Sequence, residues 1–199
     1  MRDLPSRLGP GGLPGGAAWL QAHLFERRLL FLAGHLDSAA ATGLTAQLMT
    51  LDALDGAPIT LYLDSPDAAL EAAFVLIDTL KLLRSEVRAH CLGRLGGPSV
   101  AVLAVADRRS ASPNARFRLA QPRLQAAGTA DRLQAESEHA QDLLRRLQLE
   151  LAQATGQPLE EVALDLRRER YLDAHQALAY GLIDEIGAPN YDPSTSTSP

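Results

Sequence analysis

Cysteine is nearly absent: Cys91 is alone in the chain, so no internal disulfide and no thiolate metal site can form. An oxidised scaffold and a zinc module are thereby excluded, and a reducing, cytoplasmic setting is expected. Lysine is just as scarce, with Lys81 alone against eighteen arginines, a compositional bias given no functional weight. No apolar run approaches the ~20 residues of a membrane span, and Met1 to Gly16 lack the apolar core of a secretory signal. A net charge of −5 spread through the chain supplies no basic stripe, so neither nucleic acid nor a membrane surface is expected as a partner. Nor is there a phosphate-cradling loop, since Gly93 to Gly97 reads G-R-L-G-G with no Lys-Ser/Thr behind it. The five histidines make no H-E-x-x-H pair, and no cofactor or metal is expected.

The 199 residues, 46% hydrophobic, suffice for one compact domain. Pro5, Pro10 and Pro14 among five glycines predict a flexible arm over 1–16, and the Ser/Thr/Pro-rich end predicts a disordered tail over 189–199. Between them, 17–188 should form the domain. Leu29–Ala33, Ile59–Leu63, Val87–Leu92, Phe117–Ala120 and Leu182–Ile186 have strand length. Ser38 is placed to cap a helix marked by Leu44, Leu48, Leu51 and Leu54. Phe74, Ile77 and Leu80 mark a second, and Pro98 opens a third. Strand and helix alternating in this way predict an α/β layer fold on a mostly parallel sheet. Thr129 to Thr155 carries an apolar rhythm over about seven turns before Gly156 and Pro158 stop it. A helix of that length either packs along the sheet or projects toward another subunit. Asp173 and Gln176 form a capping box for a last short helix closed by Gly181.

The stretch Cys91-Leu-Gly-Arg-Leu-Gly-Gly-Pro-Ser99 runs from a strand through glycines into a helix start. A hydrolase can place a nucleophile at such a junction, where free N–H groups steady an oxyanion. Here Gly97 has no nucleophile and Pro98 has no N–H. Ser99 is the nearest hydroxyl, read chiefly as a residue facing backbone or a neighbouring helix. His90 lies inside an apolar strand and is read as a core or interface histidine, while His139 and His175 read as helix-surface residues. Glu160, Glu161 and Asp165 read as one solvated helix face, Asp64 and Asp67 as turn residues, and Arg167, Arg168, Glu169 and Arg170 as a charge cluster that is either wet or between subunits.

Several motifs in order resemble the proteolytic subunit of the Clp protease family: Glu26-Arg-Arg-Leu-Leu-Phe-Leu-Ala-Gly34, Leu61-Tyr-Leu-Asp-Ser-Pro66, Ser112-Pro-Asn-Ala-Arg116 with Gln121-Pro122, Thr155-Gly-Gln-Pro158, and Asp173 to Asp184. The resemblance covers about Leu24 to Ile186. It implies the ClpP/crotonase-like α/β fold, with a protruding handle over about 122–156 that interlocks two stacked heptameric rings. Matched residue by residue, it puts the nucleophile position at Gly97, the base at Ala120 and the third triad member at Asp165. The oxyanion positions fall on Ala68, next to Asp67, and on Pro98. Of the triad only Asp165 is retained.

The same resemblance places the docking pocket for an unfoldase ATPase at Tyr62 and Leu82, made more polar by Thr60, His90 and Ser110, so that docking is weakened. Leu144 and Leu147 are expected to form an apolar seam of the handle facing another subunit. The resulting expectation is a catalytically degenerate subunit that assembles into its own rings or mixes with an active Clp proteolytic subunit. The alternatives are an active Clp serine endopeptidase subunit using Ser99 with a base such as His90, and a crotonase-like acyl-CoA enzyme.

Overall fold

The computed structural model describes residues 16–122 and 129–187. The arm over 1–16 lies, except for Gly16, outside the described residues, and the tail over 189–199 lies outside them entirely. Seven strands and seven helices follow one another among the described residues. The sheet is built by β1 (Leu29–Ala33), β2 (Ile59–Ser65), β3 (Val87–Gly96), β4 (Arg108–Ala111) and β7 (Glu185–Ile186), all paired in parallel in the order β1-β2-β3-β4-β7. The helices α2 (Ser38–Leu54), α3 (Leu70–Leu82) and α4 (Ser99–Ala104) make the crossovers that parallel pairing requires.

Strand β3 forks. Its first part, Arg88 to Cys91, pairs with β4, and its last part, Arg94 to Gly96, pairs with β5 (Arg116–Leu119). Strand β6 (Arg170–Asp173) then adds antiparallel to β5. The alternation of each strand explains the packing: Leu30, Leu32, Leu61, Leu63, Ala89 and Cys91 are buried on the helix-covered face, whereas Phe31 on the other face is 48% exposed.

Local chemistry sets the helix ends. The cap of α2 is Asp37, not Ser38: its carboxylate accepts the Ala40 N–H at 2.8 Å. The Asp173–Gln176 capping box and the left-handed Gly181 close both ends of α7 (Ala174–Tyr180) as the sequence predicts. Helix α1 (Gly16–Glu26) has no apolar stripe to announce it and is held near its end by Phe25 against the core. Strands β4 and β6 were hidden in the sequence because Arg-Arg-Ser-Ala and Arg-Tyr-Leu-Asp carry too few apolar residues. The predicted strand over Leu182–Ile186 shortens to two residues, with Leu182 and Ile183 buried in the turn before it.

Helix α5 (Ala130–Thr155) divides into a packed half and an exposed half. Its C-terminal half packs on the domain: Leu147 and Leu151 are buried, and Lys81 of α3 binds Glu150 at 2.6 Å. Its N-terminal half stands exposed from Asp131 to Glu138, with only Glu136 half-covered and with an Arg132–Glu136 pair at 2.8 Å on its surface. The expected seam of Leu144 and Leu147 is therefore corrected. Leu147 is fully buried in this chain's own core and Leu144 packs half-buried against that core, because the seven-residue rhythm serves α4, α3 and α6 (Leu159–Arg168).

Candidate functional site

The fork in β3 leads straight into the Gly97–Pro98 corner and α4. Gly97 sits at φ +56°, a left-handed conformation that L side chains rarely adopt, and its N–H donates to the Arg118 carbonyl at 3.0 Å. Pro98 caps α4 without an N–H to offer. A Cβ built on Gly97 would lie 2.6 Å from Asp67 Oδ1 and 4.0 Å from the Ala120 carbonyl oxygen. The side-chain space at 97 is thus already filled by a carboxylate. Asp67 Oδ1 also accepts the Ala68 N–H at 3.0 Å, while its Oδ2 lies 3.8 Å from an Arg118 guanidinium nitrogen.

Ala120 is fully buried just past β5. The next residue, Gln121, donates its N–H to the Leu166 carbonyl at 3.1 Å, which ties the end of β5 to α6. Gly97 and the Ala120 carbonyl lie close together, whereas the Asp165 carboxylate is turned to partners of its own. Asp165 is not part of a solvated face. It is 8% exposed, and its Oδ2 accepts both Arg170 Nη1 and Tyr180 Oη at 3.0 Å. Burial and the hydrogen bond to Asp165 push the Tyr180 phenol well above its ordinary value, so it acts as a neutral donor. Arg170 also stacks 5.3 Å from the centre of the Tyr180 ring.

The pairing of Ser99 with His90 does not form. Ser99 is fully buried, and its hydroxyl donates to the carbonyls of Gly96 at 2.7 Å and Ser65 at 3.0 Å, which holds the corner against the end of β2. His90 Nδ1 instead meets Ser110 Oγ at 2.8 Å and its Nε2 meets Ser112 Oγ at 3.1 Å. Burial lowers the His90 pKa. Cys91 is no nucleophile either: burial first, and the Asp64 charge second, push its thiol up to about 12.

Tyr62 stands in a row across the open sheet face, stacked on Phe31 at 4.9 Å and edge-on to His90 at 5.7 Å. Leu82, the other residue expected to dock a partner, is 80% exposed at the end of α3, beside Met49 and Ala53 of α2. Among the described residues no group of acidic, histidine and cysteine side chains is arranged to hold a metal, and no helix is long and apolar enough to cross a membrane. Sequence reasoning missed the insertion of Asp67 and the neighbouring role of Arg118. The only available signal was an acidic residue directly after Ser65-Pro66, where the motif it resembles carries glycine.

Comparison with known proteins meets this geometry at the level of the whole chain. The Clp protease family model matches residues 16–190. ATP-dependent Clp protease proteolytic subunit 1 of Corynebacterium glutamicum is 32% identical over 169 residues, covering 83% of this chain and 81% of the relative. Proteolytic subunit 2 of Corynebacterium jeikeium is 32% identical over 167 residues, covering 82% and 80%. Proteolytic subunit 1 of Thermobifida fusca is 30% identical over 167 residues, covering 82% and 75%. The motifs read from the sequence, the forked parallel sheet and a match along most of the chain agree: this protein belongs to the Clp protease proteolytic subunit family and has its α/β fold.

Proposed function

We propose that this chain is a Clp-type subunit without peptidase chemistry of its own, acting in the assembly or regulation of a ring complex. One observation carries the reading: the Asp67 carboxylate fills the side-chain space at Gly97 and takes the Ala68 N–H. Acyl transfer needs a nucleophile, a proton acceptor and donors free for the oxyanion. At this corner glycine removes the first and the Ala120 methyl removes the second. Pro98 removes one donor, and a fixed negative charge occupies the other. A developing oxyanion would meet repulsion where it needs stabilisation, and loss of a single donor already costs about 10²–10³ in rate. The crotonase-like alternative needs an oxyanion hole too, and the same two features oppose it.

Assembly does not depend on those groups. The exposed N-terminal half of α5 is free to meet another subunit, with Leu133, 37% exposed, as its apolar contact. The handle role therefore moves from Leu144 and Leu147 toward the helix start. Docking of an unfoldase ATPase at Tyr62 is weakened to the extent that His90 and Ser110, on the neighbouring strands, replace apolar side chains; their mutual hydrogen bond moderates that polarity.

The test has two arms. The purified chain should neither hydrolyse fluorogenic peptides nor react with a fluorophosphonate, and native mass spectrometry with an active Clp proteolytic subunit from the same cell should show mixed rings. Stoichiometric labelling of Ser99 would overturn the loss of chemistry. A chain that stays monomeric both alone and with the active subunit would overturn the assembly role.

A further inference from the structure

Beside the Gly97 corner, the forked end of β3 and the strands β5 and β6 form a small surface whose two faces differ sharply. Leu95, Phe117, Leu119 and Leu172 point inward and are buried. By strand alternation Arg94, Arg116, Arg118 and Tyr171 share the other face, and together they line a hollow of about 380 Å³. Gly96 keeps the middle of this face low, because a Cβ there would lie 2.2 Å from the Pro66 carbonyl oxygen. In a chain of net charge −5, three guanidiniums against the single carboxylate of Asp67 around this hollow are a local excess of positive charge.

The carboxylates nearby engage Arg118 more than the other two guanidiniums, and Asp64 accepts the Arg94 backbone N–H at 2.9 Å without an ion pair to its side chain. Arg118 lies 3.8 Å from Asp67 and 3.5 Å from the exposed Glu169. Arg116 binds only the Ala115 carbonyl, at 3.1 Å, and the Arg94 side chain makes no hydrogen bond or ion pair among the described residues. Asp173, opposite Arg116 in register, is turned away to cap α7 through the Gln176 N–H.

We propose that this hollow binds an extended acidic peptide segment with carboxylates at alternate positions. Arg94 and Arg116 face each other across the β3–β5 pairing, and Arg118 stands two residues further along the same strand. Two residues of strand span about 6.6–6.8 Å, the separation of alternate side chains in any extended chain. One carboxylate of such a segment meets Arg94 and Arg116, and the next reaches Arg118 in place of Glu169. Tyr171, opposite Arg118 in register and 66% exposed, flanks that second position, and the residue between the two carboxylates points away from the face. A single small anion satisfies one of these two positions only. Guanidinium forks favour carboxylates through paired, charge-assisted hydrogen bonds. The inference concerns binding and holds whether or not the corner performs chemistry.

Fluorescence anisotropy of the full chain with a labelled (Glu-Ala)₃ peptide tests it, against a (Gln-Ala)₃ counterpart. The acidic peptide should bind about tenfold or more tightly than the amide peptide, and raised salt should weaken it. Arg94→Glu and Arg116→Glu should each abolish the preference, and Arg94→Gln should reduce it without changing the folded circular dichroism spectrum. Equal binding of both peptides, or binding unchanged in the Arg94→Glu and Arg116→Glu variants, would overturn the proposal. So would displacement by inorganic phosphate or succinate at the peptide's own concentration, which makes this a small-anion site. A change of mass by light scattering in Arg94→Gln would overturn it as well, assigning the face to a subunit contact.

Discussion

Near the start of β3, His90 holds hydroxyls on both ring nitrogens and bonds no carboxylate among the described residues. At the end of the same strand, the Gly97 corner holds the Asp67 carboxylate with no imidazole among the described residues, and its hydroxyls, Ser65 and Ser99, are tied to carbonyls. Neither end is a hydrolytic site, for opposite reasons. Ser110 is neutral and cannot steady an imidazolium on His90, whereas Asp165 has no imidazole to steady and is held by Arg170 and Tyr180. Proximity and hydrogen bonding alone do not make a catalytic group; the sign and placement of charge decide.

The largest way to break this comparison is to rebuild the corner. A variant carrying Asp67→Gly, Pro98→Met, Gly97→Ser and Ala120→His should exceed the same variant with Pro98 kept by about 10²–10³ in fluorogenic peptide turnover, since one restored oxyanion donor has that effect. Equal rates would show that Pro98 is not what blocks the corner. The next effect is on stability. Asp165→Ala leaves the Tyr180 hydroxyl and Arg170 without their shared acceptor, and should lower stability by about 2–3 kcal/mol in urea unfolding, Arg170 being half-exposed and partly screened. An unchanged midpoint would return Asp165 to a site waiting for its base.

A smaller effect belongs to Gly97→Ser alone. A left-handed non-glycine residue costs about 1–2 kcal/mol, and the new Cβ also presses on Asp67 Oδ1. Combining it with Asp67→Gly should recover part of that loss, and a coupling near zero in the double-mutant cycle would show that Asp67 simply moves aside. The smallest effect lies at the other end of β3. Burial lowers the folded-state pKa of His90, so the unfolded chain takes up the proton first and stability falls as pH drops below about 6.5, the ordinary histidine value. His90→Gln should flatten the difference in urea midpoint between neutral and mildly acidic buffer. An equally steep loss in the variant would assign the dependence to other groups.

The sequence alone determined the alternation from β1 through α4, the α7 capping box and the extent of α5, because each rests on local periodicity and on side chains that bond their own neighbours. It also determined that positions 97 and 120 carry no nucleophile and no base, since a missing functional group is missing in every fold. What it left open depended on partners distant in the chain. Asp67 read as a turn residue until the β3 fork brought Gly97 and Arg118 against it, and Leu147 read as a subunit seam until α4 and α3 covered it. Strands β4 and β6 stayed hidden for the same reason: parallel and cross-sheet hydrogen bonds are made by backbone, and their register is fixed by distant strands. Where a carboxylate points, which leucine is inside and which arginines share a face were decided by packing, because local sequence carries periodicity but not the identity of the opposing surface.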